Sequence, residues 1–521
     1  MPSATDPTVR RLASAVLMPG FSGTTAPEWL RRAVIDGLGG VCLFAHNVVG
    51  GDVAALTWGL HEIRSDLVVA SDEEGGEVTR IESAEGSSWP TAAALGRADD
   101  LRATAAVAAG IGRQCRDLGV DLALAPDVDV ASNPDNPVIG LRSFGADPQL
   151  VARHGAAFVA GLQGVGVAAC AKHFPGHGDS RTDSHVGLPI IDVDLDTLLH
   201  RDLVPFEAVV SAGVRAVMTA HVVFPAVDQR PATLSPDVLE LLRGDLGFSG
   251  VVVSDAVDMQ AISATIGRGP GAVRALAAGV DLVCIGNPRH PTPYDDEAAY
   301  HEVHDAVLGA VVRGELRLDR LEESAGRMAE LAWWVGENRA AALAVEGAGV
   351  GADRQAASLA SAADVATRAL EVHDAGPVSA RRGGGRAPLH VLDLRDPPGL
   401  AAGPRPSGVI QALLRQHLEV TLQEVTVGDE PLATAQATAQ ATAQATVAGL
   451  PDTDLVVVVG SPHRSPITQQ LLDAVIEARP DAVVVATGPP DHHDRLGAHW
   501  VRTGGDTRTA GAAVAAVLLG P

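Results

Sequence analysis

The chain has 521 residues, with 39 Lys and Arg against 64 Asp and Glu and a formal net charge of −25, a field that disfavours nucleic acid and anionic membranes as partners. Hydrophobic residues make up 46% of it and charged residues 20%, which excludes wholesale disorder and supplies one large core or several ordinary ones. No run of about 18 uncharged apolar residues occurs, and Arg10 and Arg11 precede only a short apolar run ending at Met18, so neither a membrane span nor a secretory leader is expected.

Up to about residue 290 one pattern recurs: a short apolar run, a polar or glycine-rich end, then a longer helical stretch. The runs are Ser14–Met18, Gly40–Phe44, Leu67–Ser71, Leu122–Ala125, Val167–Ala171, Ala216–Thr219, Val251–Ser254 and Leu282–Ile285. Runs apolar on both faces belong to parallel strands covered by helices, and eight of them with helical connections favour a (β/α)8 TIM-like barrel over a doubly wound open sheet. Between the fourth and fifth runs, Asp147-Pro148 offers a helix cap and first position, and Val151, Phe158 and Leu162 fall near one face. Cys42, Cys115, Cys170 and Cys284 are far apart without CxxC spacing, which reads as buried thiols of a reduced, cytoplasmic protein.

Beyond Asp319 the chain turns alanine-rich and helical to about Val372, then reaches the glycine- and arginine-rich stretch Arg381 to Arg386. A second βα alternation follows at His390–Leu394, Val420–Val427, Leu455–Val459 and Ala482–Ala486, with a helical stretch over Ile467–Ala478. The expected domains are therefore a catalytic barrel over 1–335, a helical and Gly/Arg-rich linker over 336–387, and a smaller three-layer α/β sandwich over 388–521. The Ala-Thr-Ala-Gln repeats near 433–446 read as a surface helix or loop.

What ends each run carries the chemistry. The third finishes in Asp72-Glu73-Glu74-Gly75-Gly76, the fourth in Asp127 and Asp129, the fifth in Lys172-His173, the sixth in His221 and the seventh in Asp255. In parallel α/β folds such ends share one rim, so residues distant in sequence converge there. The densest reactive cluster runs from Lys172 through His173, His177 and Asp179 to Asp183-Ser184-His185. Its proline and glycines make it a loop, so His173 and His177 are not the same-face pair of a helical HExxH. Alternation in an extended segment puts Asp183 beside His185, and a carboxylate next to an imidazole fixes its tautomer and raises its pKa, as an acid/base requires. Asp255, delivered to the rim by three valines, suits a carboxylate nucleophile facing that dyad, although helix capping explains a lone strand-end aspartate equally well.

Lys172-His173-Phe174-Pro175-Gly176-His177-Gly178-Asp179 with Asp183-Ser184-His185, the segment from Asn133 to Gly140 leading into Arg142-Ser143-Phe144-Gly145, and Asp72-Glu73-Glu74-Gly75-Gly76 together resemble family 3 glycoside hydrolases, in their β-N-acetylglucosaminidase branch, over about residues 12–335. The resemblance implies retaining cleavage of a β-glycoside by double displacement. In it Asp255 attacks the anomeric carbon, and His185, oriented by Asp183, acts as acid and then as base. It also implies that Asp72, Arg80, Arg142, Lys172 and His173 hold the sugar hydroxyls, a donor and acceptor set suited to a polyol. One departure is Glu73, where the family more often has Gln. A second domain in this family often borders the active site, and the histidine loop leaves it the leaving group or association to attend to.

A histidine in place of the usual acid/base carboxylate changes which acceptor can enter. At ~4 Å and an effective dielectric of 20, a carboxylate would repel an anion by about 4 kcal/mol. Phosphorolysis with inorganic phosphate as co-substrate therefore stands beside hydrolysis, with Arg181 as an added attraction. The expected partner is a small-molecule β-glycoside or oligosaccharide, of N-acetylglucosamine or of glucose. No cofactor, metal, nucleic acid or membrane is expected. Two other classes compete: a metal-dependent hydrolase using His173, His177, His185, His221, Asp127 and Asp255, whose spacing matches no barrel metal motif, and a sugar-binding protein without catalysis.

Overall fold

A computed structural model describes residues 3–289, 292–376, 388–395, 406–417, 419–425, 432–489 and 495–520. Eight short parallel strands form the first half: β1 (Leu17–Pro19), β2 (Gly40–Leu43), β3 (Val68–Ser71), β4 (Leu122–Ala123), β5 (Ala168–Phe174), β6 (Ala216–Thr219), β7 (Val251–Ser254) and β8 (Val283–Gly286). Strands β2 to β7 pair in chain order and β8 pairs with β1. A bridge from Val253 to Leu282 links β7 to the start of β8, and the Gly39 amide donates to the Ser14 carbonyl where the first two segments meet. A Cβ on Gly39 would lie 2.1 Å from the Ala15 carbonyl oxygen, so only glycine admits that approach. These are the eight runs expected from the sequence, displaced by a few residues.

Alternation explains why the runs are apolar on both faces. Met18, Cys42, Val68, Ala70, Leu122, Ala168, Cys170, Ala216, Met218, Val251, Val253 and Cys284 fill the barrel interior in one cluster. Their neighbours Leu17, Val41, Val69, Ala169, Val217, Val252 and Val283 belong to the outer core under the helices, as a layered barrel requires. Met328, Leu331 and Val335, on the helix Leu318–Arg368, pack onto the interior cluster. The helix Pro148–Gln163 is capped by Asp147 and buries Val151, Phe158 and Leu162, as expected. All four cysteines are free and buried. Among the described residues no helix is long and apolar enough to cross a membrane.

The second half is one six-stranded sheet. Its strands are β9 (Glu371–His373), β10 (Leu389–Asp393), β11 (Val420–Glu424), β12 (Asp454–Val459), β13 (Val483–Ala486) and β14 (Trp500–Arg502), in the spatial order β9-β14-β13-β12-β10-β11. Only β9 runs antiparallel to its neighbour. Val456, Val458, Val483 and Val485 pack with Val409, Leu413, Val514 and Leu518 on one face. Val457, Val459 and Val484 pack with Leu471, Leu472 and Val475 on the other, giving three layers. β9 falls inside the stretch expected to link the domains and adds an edge to this sheet; Arg381 to Arg386 lie outside the described residues. The alanine- and glutamine-rich repeats lie in the helix Leu432–Gly449.

The two halves dock through polar contacts with barrel loops. The Arg508 amide donates to the Ser87 carbonyl at 2.8 Å, and its guanidinium pairs with Glu82 and Glu85. The Thr91 hydroxyl donates to the Gly504 carbonyl. Arg464 donates to the Pro134 carbonyl at 2.7 Å.

Candidate active site

A cavity of about 270 Å³ opens at the carboxyl ends of the barrel strands. Asp72, Arg80, Arg142, Lys172, His173, His185 and Asp255 all line it, and Asp183 reaches it through His185. The residues singled out from the sequence therefore converge on one space.

One wall is an alternating ion network. Asp72 accepts from Lys172 Nζ at 2.7 Å and from Arg80 Nη2 at 3.0 Å. Lys172 also reaches Glu74 at 2.6 Å, and Arg142 grips Glu74 with Nε at 2.9 Å and Nη2 at 2.8 Å. Burial pushes the Asp72 carboxyl up, but the Lys172 and Arg80 cations outweigh it and hold it well below the ordinary carboxylate range. Glu74, buried between Arg142 and Lys172, is likewise brought down to about 2. Burial opposes the charge on Lys172, which Asp72 and Glu74 nevertheless keep firmly protonated. The result is fixed donors and acceptors that need no reorganisation when a polyol arrives.

Lys172 and His173 lie within β5, which runs three residues beyond the expected end, and their peptide bond is cis. His173 Nδ1 is 2.7 Å from Asp129, and Nε2 is 3.3 Å from Arg142 Nη2. The loop after β5 is clamped by the segment resembling the family motif. Asn136 donates to the His177 and Gly178 carbonyls at 2.8 and 2.9 Å, and Asn133 donates to the Ser180 carbonyl at 2.9 Å. A Cβ on Gly178 would lie 1.7 Å from the Val130 carbonyl oxygen. Gly178→Ala is expected to cost about 3 kcal/mol of stability, read as a lower urea midpoint at unchanged slope; an unaltered midpoint would show that the loop is free to move aside.

Asp183 and His185 form the expected dyad, but by a turn and not by extended alternation. Asp183 Oδ1 accepts from the His185 amide at 2.8 Å and lies 2.7 Å from His185 Nδ1. Burial lowers the His185 pKa, yet Asp183 and the Asp255 charge outweigh it and raise the imidazole above its ordinary value. Asp255 follows β7 and accepts from the Ala256 amide at 2.8 Å. Burial raises its carboxyl, while His221, His173, His185 and that amide bring it below the usual range. A carboxylate whose charged form is favoured thus shares a cavity with an imidazole whose protonated form is favoured.

The remaining polar residues sort differently from the expectation. His221 spends Nδ1 on Thr233 at 2.8 Å and Nε2 on the Ala256 carbonyl at 2.9 Å. His177 spends its nitrogens on Ser180 and Ser184. With both ring nitrogens used, neither is a metal ligand, and the six rim residues considered for a metal do not gather round one point. Arg181 is exposed and does not line the cavity. Glu73 does not line it either: it accepts from Ser71, Thr79, Arg80 N and Ile81 N and staples the turn after β3, with burial pushing its carboxyl up to about 7. Sequence reading missed Glu74 as the partner of Arg142, and also His46, Asp258, Asn287 and Arg289, which line the cavity from beyond the ends of β2, β7 and β8.

A parallel barrel whose strand ends gather a carboxylate, an imidazole and a network of ion pairs round one cavity has the groups that a carbohydrate-active enzyme uses. Residues 31–331 match the Glycosyl hydrolase family 3 N terminal domain. The chain is 39% identical over 327 residues to a β-hexosaminidase of Stenotrophomonas maltophilia, covering 59% of this chain and 94% of that protein. It is 35% identical over 334 residues to β-hexosaminidase A of Pseudoalteromonas piscicida, where the match spans 59% of this chain and about half, 55%, of the relative. Across nearly the whole length it is similar to the solved structure of a family 3 β-N-acetylglucosaminidase from Paenibacillus sp. str. FPU-7, with a TM-score of 0.81, 31% identity, and 98% and 96% of the two chains covered. The chain belongs to glycosyl hydrolase family 3 and is a β-glycosidase.

Proposed function

We propose that the chain removes a β-linked N-acetylglucosamine by retaining double displacement. The observation that carries this is the shared cavity of Asp255 and His185, whose sugar-holding wall runs through Asp72, Glu74, Arg142, Lys172 and His173. Its 270 Å³ lie near the low end of small-molecule sites, about 300 Å³, and suit a single pyranose. The Asp255 carboxylate attacks the anomeric carbon while the His185 imidazolium protonates the departing oxygen; neutral His185 then takes a proton from the incoming water, which displaces Asp255. Asp183 accepts the Nδ1 hydrogen throughout and keeps Nε2 as the working nitrogen. The similarity to β-hexosaminidases and to a β-N-acetylglucosaminidase supports the acetamido sugar.

Phosphate as acceptor is the second reading, supported by two features. The acid/base is an imidazole, which does not repel an anion as a carboxylate does. Arg289 also lines the cavity and, among the described residues, has no carboxylate within ion-pair distance. The deciding experiment incubates the protein with an aryl β-N-acetylglucosaminide with and without millimolar phosphate and identifies the products. Free N-acetylglucosamine at a rate indifferent to phosphate supports hydrolysis, and sugar 1-phosphate with acceleration supports phosphorolysis. Equal kcat/KM on the aryl β-glucoside would remove the acetamido assignment.

A further inference from the structure

Beneath the sugar-holding wall lie two carboxyl groups that the mechanism above does not use. Asp129 is 0% exposed and Asp127 2%, and one atom from each lies within 4.8 Å of a ring nitrogen of His173 and of each other. Asp129 accepts from His177 N at 2.6 Å, faces His173 Nδ1 at 2.7 Å, and is approached by His173 N at 3.4 Å. Asp127 Oδ1 accepts the Asp129 amide at 3.0 Å. Among the described residues Asp127 Oδ2 has no hydrogen-bond partner; Arg142 Nη2 stands 3.4 Å and His173 Nδ1 3.8 Å away.

The hydrogen positions follow from the donors. A guanidinium only donates, so Arg142 Nη2, 3.3 Å from His173 Nε2, requires that Nε2 accept. The ring hydrogen is then on Nδ1, directed at Asp129, and the imidazole is neutral. With His173 neutral, the buried acids Asp72, Glu74, Asp127 and Asp129 face the cations Arg80, Lys172 and Arg142. The four acids outnumber the three cations by one, so one further proton neutralises this network, with Asp255 lying outside it across the cavity. A buried anionic oxygen without a donor is the most costly group in such a set, and that oxygen is Asp127 Oδ2.

We propose that Asp127 and Asp129 are positioning residues of the sugar site that share one proton: Asp127 holds it, and Asp129 remains the anion that fixes His173 as its Nδ1–H tautomer. His173 and Arg142 thereby keep one orientation along the cavity wall. Burial and the Asp129 charge push the Asp127 carboxyl up to about 8, with Glu74 adding to the rise and Arg142 and His173 opposing it. Burial pushes Asp129 up to about 7, against His177 N and Arg142. Burial and Arg142 bring His173 down to about 4. Two adjacent carboxyls retaining one proton is the ordinary outcome of like-charge repulsion in a dry site. A divalent cation in the same place would sit beside Arg142 and displace the Nδ1 hydrogen, so the geometry suits a proton better.

This inference rests on the glycoside-binding role of His173 and Arg142 proposed above. The test uses the full chain and a dinitrophenyl β-N-acetylglucosaminide, whose leaving group departs without the His185 proton, so that the alkaline limb of kcat/KM reports the buried pair. Wild type is expected to lose activity as the shared proton leaves near pH 8. D127N, which carries an amide donor at every pH, is expected to lack that limb, and D129N to lower kcat/KM about 30-fold by freeing the imidazole. A D127N profile superimposable on wild type overturns the proposal. So does a zinc-dependent rise in wild-type Tm that D127N abolishes, because the trio would then be a cation site. The 15N-histidine spectrum of the wild type needs no substitution: a neutral Nδ1–H His173 at pH 7 supports the proposal, and an imidazolium overturns it. If no aryl glycoside is cleaved at any pH, the proposed function fails while this spectrum still decides the neutral Nδ1–H state of His173 on which the proton sharing rests.

Discussion

Asp255→Ala is expected to lower kcat/KM on an activated aryl β-N-acetylglucosaminide by about 10⁴-fold or more. The size follows from the site: among the described residues lining the cavity, Asp72 is engaged by Lys172 and Arg80, and Glu74 by Arg142 and Lys172. Among the described residues Asp255 instead accepts from its neighbouring amide alone and faces the raised imidazole of His185, which with that amide favours its ionised form. The protein is expected to stay folded, since removing a buried carboxylate kept for chemistry tends to leave stability unchanged or improved. The direct check is mass spectrometry after exposure to a 2-fluoro sugar with an activated leaving group. A covalent adduct mapping to Asp255, absent from the variant, is the expected result; an adduct on another residue, or a variant within tenfold of wild type, would remove the nucleophile assignment.

The second large effect belongs to His185. His185→Ala is expected to cost about 10³-fold on a glycoside with a poor leaving group and far less on a dinitrophenyl glycoside, because only the former needs the proton. The sign of the pH dependence follows from the raised imidazole. The acid form survives to higher pH than in a free imidazole, whose ordinary value is 6.5, so glycosylation with a poor leaving group persists further up the pH scale and falls as pH rises through the folded pKa. Asp183→Asn removes the carboxylate that raises it, and the alkaline limb is expected to move to lower pH. A limb that stays in place would mean that Asp183 only shapes the loop. Equal losses on good and poor leaving groups for His185→Ala would assign the imidazole to binding.

The barrel was legible because its strands are buried on both faces, so Val251–Ser254 and Ala216–Thr219 stand out as apolar runs with their reactive residues at one end. β9 and β14 were not: each has three residues, partly exposed, too few to show a period. Asp255 and His185 were legible as a strand-end carboxylate and a D-x-H inside a loop dense with histidines. The Glu74–Arg142 grip was not, since it joins residues 68 positions apart with no local pattern. Asp258 and Arg289 read in the sequence like ordinary loop polars. Only closure of the barrel shows that they line one cavity. Asp127 and Asp129 were visible as acids after the fourth run, but their depth under His173 depends on tertiary packing.

Arg508 grips Glu82 and Glu85 just past Arg80, and Arg464 holds the Pro134 carbonyl on the way to Arg142. The carboxyl-terminal half therefore braces two loops that deliver guanidinium groups to the cavity. A chimera joining this half to the barrel of a shorter relative would keep the barrel's own carboxylate and imidazole yet lose the fit of those loops, unless the matching acidic and carbonyl contacts travelled with it. Recombination between such enzymes is thereby restricted to exchanges that keep both faces of the seam together.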